Sequence, residues 1–126
     1  MHKTTTILTF AISLLVSSLA YAGSVSRGQF TNDIIDREPV DQVISLQTDS
    51  NRIKYFTELN DLQGQTVTHR WEYNGSVMFE MSFDVGGPRW RVWSSKTLQP
   101  GWTGEWVVHT VDSEGNTLLS QSFLYQ

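Results

Sequence analysis

Between residues 66 and 96, apolar and polar side chains alternate with a period of two, which is typical of half-buried β-strands. The first run places four side chains on one face: Val67, His69, Trp71 and Tyr73. The dipeptide Asn74-Gly75 follows directly and favours a type I′ hairpin turn, because both central residues of that turn need positive φ. In the second run we expect five apolar side chains to face the core, namely Val77, Phe79, Met81, Phe83 and Val85.

The third strand of this stretch, Arg89–Lys96, follows a Gly86-Gly87-Pro88 corner and has two different faces. One face carries Trp90 and Val92, and the other carries Arg89, Arg91, Trp93 and Ser95. We expect Trp90 and Val92 to point inward, which leaves the arginine-bearing face in solvent. The opposite orientation would bury Trp93 instead.

The remaining chain reads as further short strands separated by turn residues. We predict a first strand within Ser24–Ile35 with Gly28 as a possible bulge, and a break at 36–39, because Pro39 lacks an amide hydrogen. Residues 40–46 fit either a strand or a loop. Further strands are predicted over Arg52–Leu59, Glu105–Asp112 and Thr117–Tyr125. About seven strands without a helix predict a single antiparallel β-sandwich with immunoglobulin-like topology, and a small β-barrel is the alternative.

The first 22 residues have the pattern of a secretory signal peptide. His2 and Lys3 precede an apolar run over 7–19, and Ala20-Tyr21-Ala22 forms an A-x-A cleavage site. The run is short for a membrane span, although an uncleaved N-terminal anchor is an alternative. We therefore expect export to the periplasm or beyond, with residues 23–126 as the mature domain and no membrane span within it.

Composition narrows the function classes. The chain has no cysteine, which excludes disulfides, thiolate metal sites and cysteine nucleophiles. Its formal charge is −4, and loss of the leader removes Lys3 and leaves −5. An acidic domain of this kind is a poor candidate for binding nucleic acid or an anionic membrane surface.

Several strings resemble an uncharacterised bacterial family, domain-of-unknown-function family 2914. They are DREPVD at 36–41, FTEL at 56–59, THRWEYNG at 68–75, VGGPRWRVWSSK at 85–96 and GEWVV at 104–108. The resemblance extends over nearly all of residues 23–126. It implies an exported or membrane-tethered β-domain without an assigned activity, and so no catalytic residue can be carried over from the family.

The candidate binding residues are Arg70, Arg89, Arg91, Trp93 and Trp102. If Arg70 shares a side of the sheet with Arg89 and Arg91, three guanidinium groups and an indole line a groove that suits a carboxylate, a phosphate or a sugar acid. The alternative is cross-strand pairing with Glu58, Glu72 or Glu80, with Trp93 stacked on an arginine.

The indole of Trp102 lies in a Pro-Gly-Trp-Thr-Gly loop and has two possible roles. It is either an exposed platform for a sugar or a partner, or a plug folded over one end of the sandwich.

Metal and catalytic motifs are weak. His69 shares a strand face with Trp71, which favours a packed core histidine, and His109 has no partner at a metal-ligand spacing. The acidic residues Asp36, Glu38 and Asp41 fit a solvated turn, with calcium as the alternative. We predict no cofactor, metal or catalytic residue, and rank a hydrolase using Glu58, Glu72 or Glu80 lowest.

The sequence thus predicts a non-enzymatic, exported domain that binds a protein or a cell-envelope glycan. A carbohydrate or small-anion binding module is the alternative.

Overall fold

The structure is a computed structural model that describes residues 23–126, and every regular element in that range is a β-strand. The strands are β1 (Ser24–Thr31), β2 (Ile34–Ile35), β3 (Glu38–Pro39), β4 (Ser45–Leu46), β5 (Arg52–Asn60), β6 (Thr66–Tyr73), β7 (Ser76–Asp84), β8 (Arg89–Thr97), β9 (Gly104–Val111) and β10 (Thr117–Tyr125). No helix in this range is long and apolar enough to cross a membrane. The predicted signal peptide, residues 1–22, lies outside the described residues.

Two sheets account for most of the fold. The narrow sheet has the order β1-β5-β8, and the wide sheet has the order β4-β10-β9-β6-β7. The strands β2 and β3 form a separate two-residue hairpin. Neither sheet closes into a barrel, so the all-β prediction is confirmed and the arrangement is consistent with a β-sandwich.

The order of the seven long strands supports the immunoglobulin-like version. In that fold the first, second and fifth strands share one sheet, and the third, sixth and seventh share the other. Here β1, β5 and β8 are the first, second and fifth long strands, and β6, β9 and β10 are the third, sixth and seventh. The fourth strand, β7, departs from the constant-type pattern, in which it joins the sheet of the first, second and fifth strands. Here it lies beside β6 at the edge of the wide sheet.

An aromatic core joins the two sheets. Its largest fully buried side chains are aromatic and include Tyr55, Trp71, Trp106, Phe123 and Tyr125. The Phe30 ring lies 4.7 Å from both Tyr55 and Phe123, measured between ring centroids. Because each buried aromatic removes about 150–250 Å² from water, these rings account for how a small domain without disulfides holds together.

The first strand differs from its prediction in two ways. It ends at Thr31 rather than Ile35, and its irregularity lies between Val25 and Arg27 instead of at Gly28. Gly28 has another role, since a Cβ there would lie 2.6 Å from the Tyr55 hydroxyl and 2.8 Å from Gln121 Oε1. The glycine therefore allows β1 to approach β10 of the facing sheet.

The expectation that five apolar side chains between 77 and 85 face the core is confirmed for three of them and wrong for the other two. Phe79, Phe83 and Val85 pack in the core, whereas Val77 and Met81 are exposed. Met81 lies opposite buried His69, yet it is 42% exposed because β7 is the outermost strand of the wide sheet and the narrow sheet covers it incompletely. A bulge adds Met78 to β7, so Val77 lies opposite Glu72 and is 51% exposed. Met78 packs against the core in its place.

Candidate ligand-binding face

The outer face of the narrow sheet carries two aligned rows of side chains, which we call the arginine face. In the first row Arg27, Glu58 and Arg91 are paired across β1, β5 and β8. In the second row Gln29, Phe56 and Trp93 are paired in the same way. Arg27 lies over the Phe56 ring, 5.0 Å from its centroid, in a cation–π arrangement.

The β2–β3 hairpin is tied to this face by Glu38. The hairpin turns at Asp36-Arg37, where both residues have positive φ (52° and 62°), as a two-residue type I′ turn requires. Both carboxylate oxygens of Glu38 accept hydrogen bonds from Arg27, at 2.9 and 2.8 Å. Arg91 donates to the same carboxylate at 2.6 Å. The segment that the sequence suggested as a break is therefore a hairpin fastened to the sheet.

Glu58 holds the other side of the network. It accepts hydrogen bonds from Arg89 (2.8 Å), Arg27 (2.9 Å) and the Ser26 hydroxyl (2.9 Å), and its side chain is only 12% exposed. Hydrogen bonds from Arg89 and Arg27 lower the pKa of Glu58 to about 2. Those from Arg27 and Arg91 lower the pKa of Glu38 to about 2. Both carboxylates are therefore ionised at neutral pH.

A cleft of about 280 Å³ lies beside this network and is lined by three arginines and two tryptophans: Arg37, Arg89, Trp90, Arg91 and Trp93. The Trp90 ring is held against the glycine corner, because a Cβ on Gly86 would lie 2.9 Å from the indole. Trp90 is 38% exposed. Trp90 thus has the inward-facing parity that the sequence predicts, opposite buried Leu59, but it is not buried, whereas Val92 is buried as expected.

The guanidinium groups of the cleft keep donors for a ligand. Arg89 uses Nη2 to bond Glu58, and Arg91 uses Nη1 to bond Glu38. Arg37 takes part in no ion pair within residues 23–126. Since each guanidinium has five N–H donors, most donors in the cleft are available to an incoming anion.

Arg70 does not join this face. It lies on β6 in the wide sheet, paired with Glu80 of β7 at 3.6 Å and with its backbone opposite His109. The groove that would combine Arg70 with Arg89 and Arg91 therefore does not form. Cross-strand pairing describes Arg70 with Glu80, and Arg89 with Glu58.

Trp102 is separated from the cleft along β8. Its carbonyl accepts a hydrogen bond from Trp106 Nε1 at 2.9 Å, and its half-buried ring packs against the core. Lys96, near the far end of β8, lies 5.2 Å from the ring centroid. Of the two roles predicted for Trp102, this placement fits the side chain folded over one end of the sandwich rather than the exposed platform.

The two histidines have different surroundings. His69 is fully buried between Thr57 Oγ1 and Ser94 Oγ, each 2.8 Å from a ring nitrogen, and burial lowers its pKa to about 3. His109 lies on the outer side of the wide sheet, 2.6 Å from Ser120 Oγ and 3.3 Å from Glu72. The expectation of a core histidine at position 69 is confirmed.

The acidic residues around Pro39 do not converge on one point. Asp41 accepts hydrogen bonds from Thr31 Oγ1 (2.7 Å) and from the backbone and side chain of Asn32 (2.9 and 2.8 Å), which lower its pKa. Glu38 is bound to arginines instead. Over residues 23–126 no group of three His, Asp or Glu side chains is arranged to hold a metal ion.

Fold and site together define an all-β domain, consistent with a sandwich, whose narrow sheet carries an arginine- and tryptophan-rich cleft. The family described as Protein of unknown function (DUF2914) has a model that matches residues 64–124. The match confirms, for residues 64–124, the resemblance seen in the sequence. The match includes Arg89–Trp93 but not the strings at 36–41 and 56–59. A search of curated proteins found no match to the chain.

Three residues of the network and the cleft were not among the residues predicted to bind, namely Arg27, Arg37 and Trp90. Arg37 lies in a hairpin of two-residue strands, which leaves almost no periodicity in the sequence. Trp90 lies on the side of β8 that faces inward, so the sequence pattern predicts a core residue. It is exposed because it lies at the end of the strand. The sequence pointed to this segment in one way only: the string DREPVD at 36–41, which contains Arg37 and Glu38, is part of the family resemblance.

Proposed function

We propose that this protein is an exported, non-catalytic interaction domain that binds an anionic group of a protein or cell-envelope partner in the cleft of the arginine face. The observation that carries the proposal is the cleft itself, where three arginines and two tryptophans line about 280 Å³ without an acidic side chain in the lining. Guanidinium groups bind carboxylates and phosphates through paired hydrogen bonds, and indole faces pack against sugar rings or apolar groups.

Local charge supports an anionic ligand. The whole chain has a formal charge of −4. On the arginine face, however, four positive side chains outnumber two negative ones, which gives these six side chains a charge of +2. They are Arg27, Arg37, Arg89 and Arg91, with Glu38 and Glu58. A positive patch on an acidic molecule directs anions to that patch.

The placement of the reactive side chains supports a non-catalytic role. Ser94 and His69 form a serine–histidine pair in the core, and both are shielded from solvent at 1% and 0% exposure. A second pair, Ser120 and His109, lies on the outer side of the wide sheet and does not line the cleft. The glutamates considered for hydrolysis do not face one another across a cleft. Glu58 lies on the narrow sheet, whereas Glu72 and Glu80 bond His109 and Arg70 on the wide sheet.

Export is part of the proposal and rests on the sequence of the first 22 residues. A periplasmic or secreted domain meets acidic polysaccharides and the folded domains of other envelope proteins. Both present carboxylates in water, which is the chemistry that the cleft suits.

The proposal is tested by titrating the purified protein with oligogalacturonate while recording tryptophan emission and heat of binding. A neutral galactan oligomer serves as the ligand control. We expect a change in emission with the acidic oligomer alone, because Trp90 and Trp93 line the cleft. Arg91→Ala should weaken binding by about tenfold or more, as expected when a charge-assisted contact is lost.

Arg70→Ala is the matched protein control, since Arg70 is a similarly half-exposed arginine in an ion pair on the opposite sheet. It should leave affinity unchanged within about twofold. Equal losses for both variants, or no binding of the acidic oligomer, would contradict the proposal. A circular-dichroism melt of each variant confirms that the fold is retained.

A smaller ligand is the second candidate, favoured by the volume of the cleft. About 280 Å³ lies just below the range of small-molecule pockets, which favours a ligand as small as one sugar acid over a long chain. Titration with galacturonic acid monomer distinguishes the two: binding as tight as that of the oligomer would assign a small-anion module.

A further inference from the structure

The strand β8 has an unused edge. It pairs with β5 over nine consecutive residues without a bulge, from Arg89 opposite Asn60 to Thr97 opposite Arg52. It is the last strand of the narrow sheet, and within residues 23–126 no backbone group of Arg89–Thr97 bonds to any segment but β5. Proteins usually protect such an edge with proline, a bulge or a covering segment.

The neighbouring edge strand, β7, carries such protection. Its bulge at Met78 interrupts the regular pairing with β6 and disturbs the edge. β8 contains neither a bulge nor a proline, and its single lysine, Lys96, lies near its end. The two edges thus differ, and β8 is the one suited to regular pairing with another strand.

Two different chemical environments flank the open edge of β8. On the outer side lies the cleft with Arg37, Arg89 and Arg91. Next to it, toward β7, lies a largely apolar slot of about 210 Å³ that is lined by Phe83 and the inward-facing Val92 together with Trp93 and Arg91. Arg91 and Trp93 line both cavities, so the cationic cleft and the apolar slot adjoin along the same strand.

We propose that the open edge of β8 accepts an extended peptide segment of a partner protein in which acidic and apolar side chains alternate. In an added β-strand, successive side chains point to opposite faces of the sheet. The acidic side chains then meet the arginines of the cleft, while the apolar side chains enter the slot beside Phe83 and Val92. Main-chain hydrogen bonds to β8 supply the rest of the contact. The inference rests on the proposed function, because it uses the same cleft.

Charge argues against a second copy of this chain on the same edge. Two β8 strands paired antiparallel about Trp93 would place Arg89 and Arg91 of one copy opposite Thr97 and Ser95 of the other, so the arginines would gain no carboxylate partner. Cross-strand pairs of opposite charge stabilise strand pairing, and such a dimer would lack them. An acidic strand from a different protein has the complementary charge.

The test uses a fluorescein-labelled octapeptide of alternating valine and glutamate, with binding followed by fluorescence anisotropy. Two control peptides keep its length: one has the same composition in two blocks, four valines then four glutamates, and the other has lysine in place of each glutamate. We expect the alternating acidic peptide to bind at least about tenfold more tightly than either control. Equal binding of the block peptide would overturn the proposal, because alternation would then have no role.

Backbone pairing is tested with two N-methylated versions of the alternating peptide, one methylated on every valine and one on every glutamate. In an extended strand, alternate residues direct their N–H groups to the same edge. One of the two peptides should therefore lose affinity by about tenfold or more, while the other stays within about threefold. Unchanged affinity of both would overturn edge pairing.

The oligogalacturonate titration separates the two proposals. If the oligomer binds through Arg91 but no peptide binds, the partner is a glycan; the peptide inference is then wrong and the proposed function stands. If neither ligand binds, both fail. If the alternating peptide binds and Arg91→Ala weakens it while Arg70→Ala does not, both are supported.

Discussion

His69 is a titratable residue placed where the core tolerates only its neutral form. Thr57 and Ser94 on the narrow sheet bond its two ring nitrogens, and Trp71 Nε1 donates to Ser94 Oγ at 3.0 Å. Because His69 and Trp71 belong to the wide sheet, these side chains hydrogen-bond the two sheets across the core. Satisfied polar groups of this kind fix the relative position of the sheets, whereas an added proton would be buried without a counter-charge.

The protein should lose stability on mild acidification. The pKa of His69 is about 3 when folded, well below the usual 6.5, so the unfolded chain binds the proton more tightly. The stabilising contribution is complete above pH 6.5 and is lost as the pH falls toward 3. Between pH 7 and 5 the free energy of unfolding should fall by about 2 kcal/mol from this residue, measured by urea unfolding.

The control for that prediction is a pair of histidine variants. His69→Gln should be less stable at pH 7, because it disturbs the hydrogen bonds to Thr57 and Ser94, but its stability should change much less between pH 7 and 5. His109→Gln, on the outer side of the wide sheet, should retain the pH dependence of the parent. If His69→Gln were as sensitive to acid as the parent, the assignment would fail.

Gly28 shows how one residue sets the spacing of two strands. A side chain at this position would press against the Tyr55–Gln121 hydrogen bond and against Leu119. Gly28→Ala should therefore cost about 1–3 kcal/mol, as overpacking usually does. Gly101→Ala, where a Cβ would meet nothing within 4 Å, should stay within about 0.5 kcal/mol. Equal losses in thermal unfolding would show that the approach at Gly28 is not tight.

At the scale of elements, the sequence predicted where the long strands lie. It did not predict which strand faces the opposite sheet covers. Period-two alternation located β6, and the Asn74-Gly75 turn has the expected positive φ at both residues (50° and 76°). Alternation reports which side chains share a face, but not whether another sheet reaches over that face. This is why Met81 has the predicted parity and is nevertheless exposed.

Substituting two valines tests whether the opposite sheet buries β6 more completely than β7. Val67 on β6 is fully buried, whereas Val77 on β7 is 51% exposed beside the bulge. Val67→Ala should lower the free energy of unfolding by about 2 kcal/mol, because it removes buried methyl groups and leaves a cavity. Val77→Ala should cost no more than about 0.5 kcal/mol. A large loss at Val77 would restore the original expectation that the whole apolar face of β7 is core.

For the molecule as a whole, the division of side chains between two sheets decides the site. Arg70, Arg89 and Arg91 all lie on outward faces, but Arg70 belongs to the wide sheet and the other two to the narrow sheet. Strand order in space is set by long-range pairing, which no local pattern encodes. The sequence therefore found two of the three cleft arginines, Arg89 and Arg91. It missed Arg37, which the β2–β3 hairpin brings over the same sheet.

The central claim is that the cleft of the arginine face, and no other surface of this domain, receives an anionic ligand. The most direct measurement is a ¹⁵N–¹H NMR titration with oligogalacturonate that follows the arginine Nε–H and tryptophan Nε1–H resonances. We predict saturable shifts for Arg89, Arg91, Trp90 and Trp93, which line the cleft, with little change at Arg70 or Trp102. Saturable shifts centred on Arg70 or Trp102, with the cleft resonances unmoved, would contradict the account.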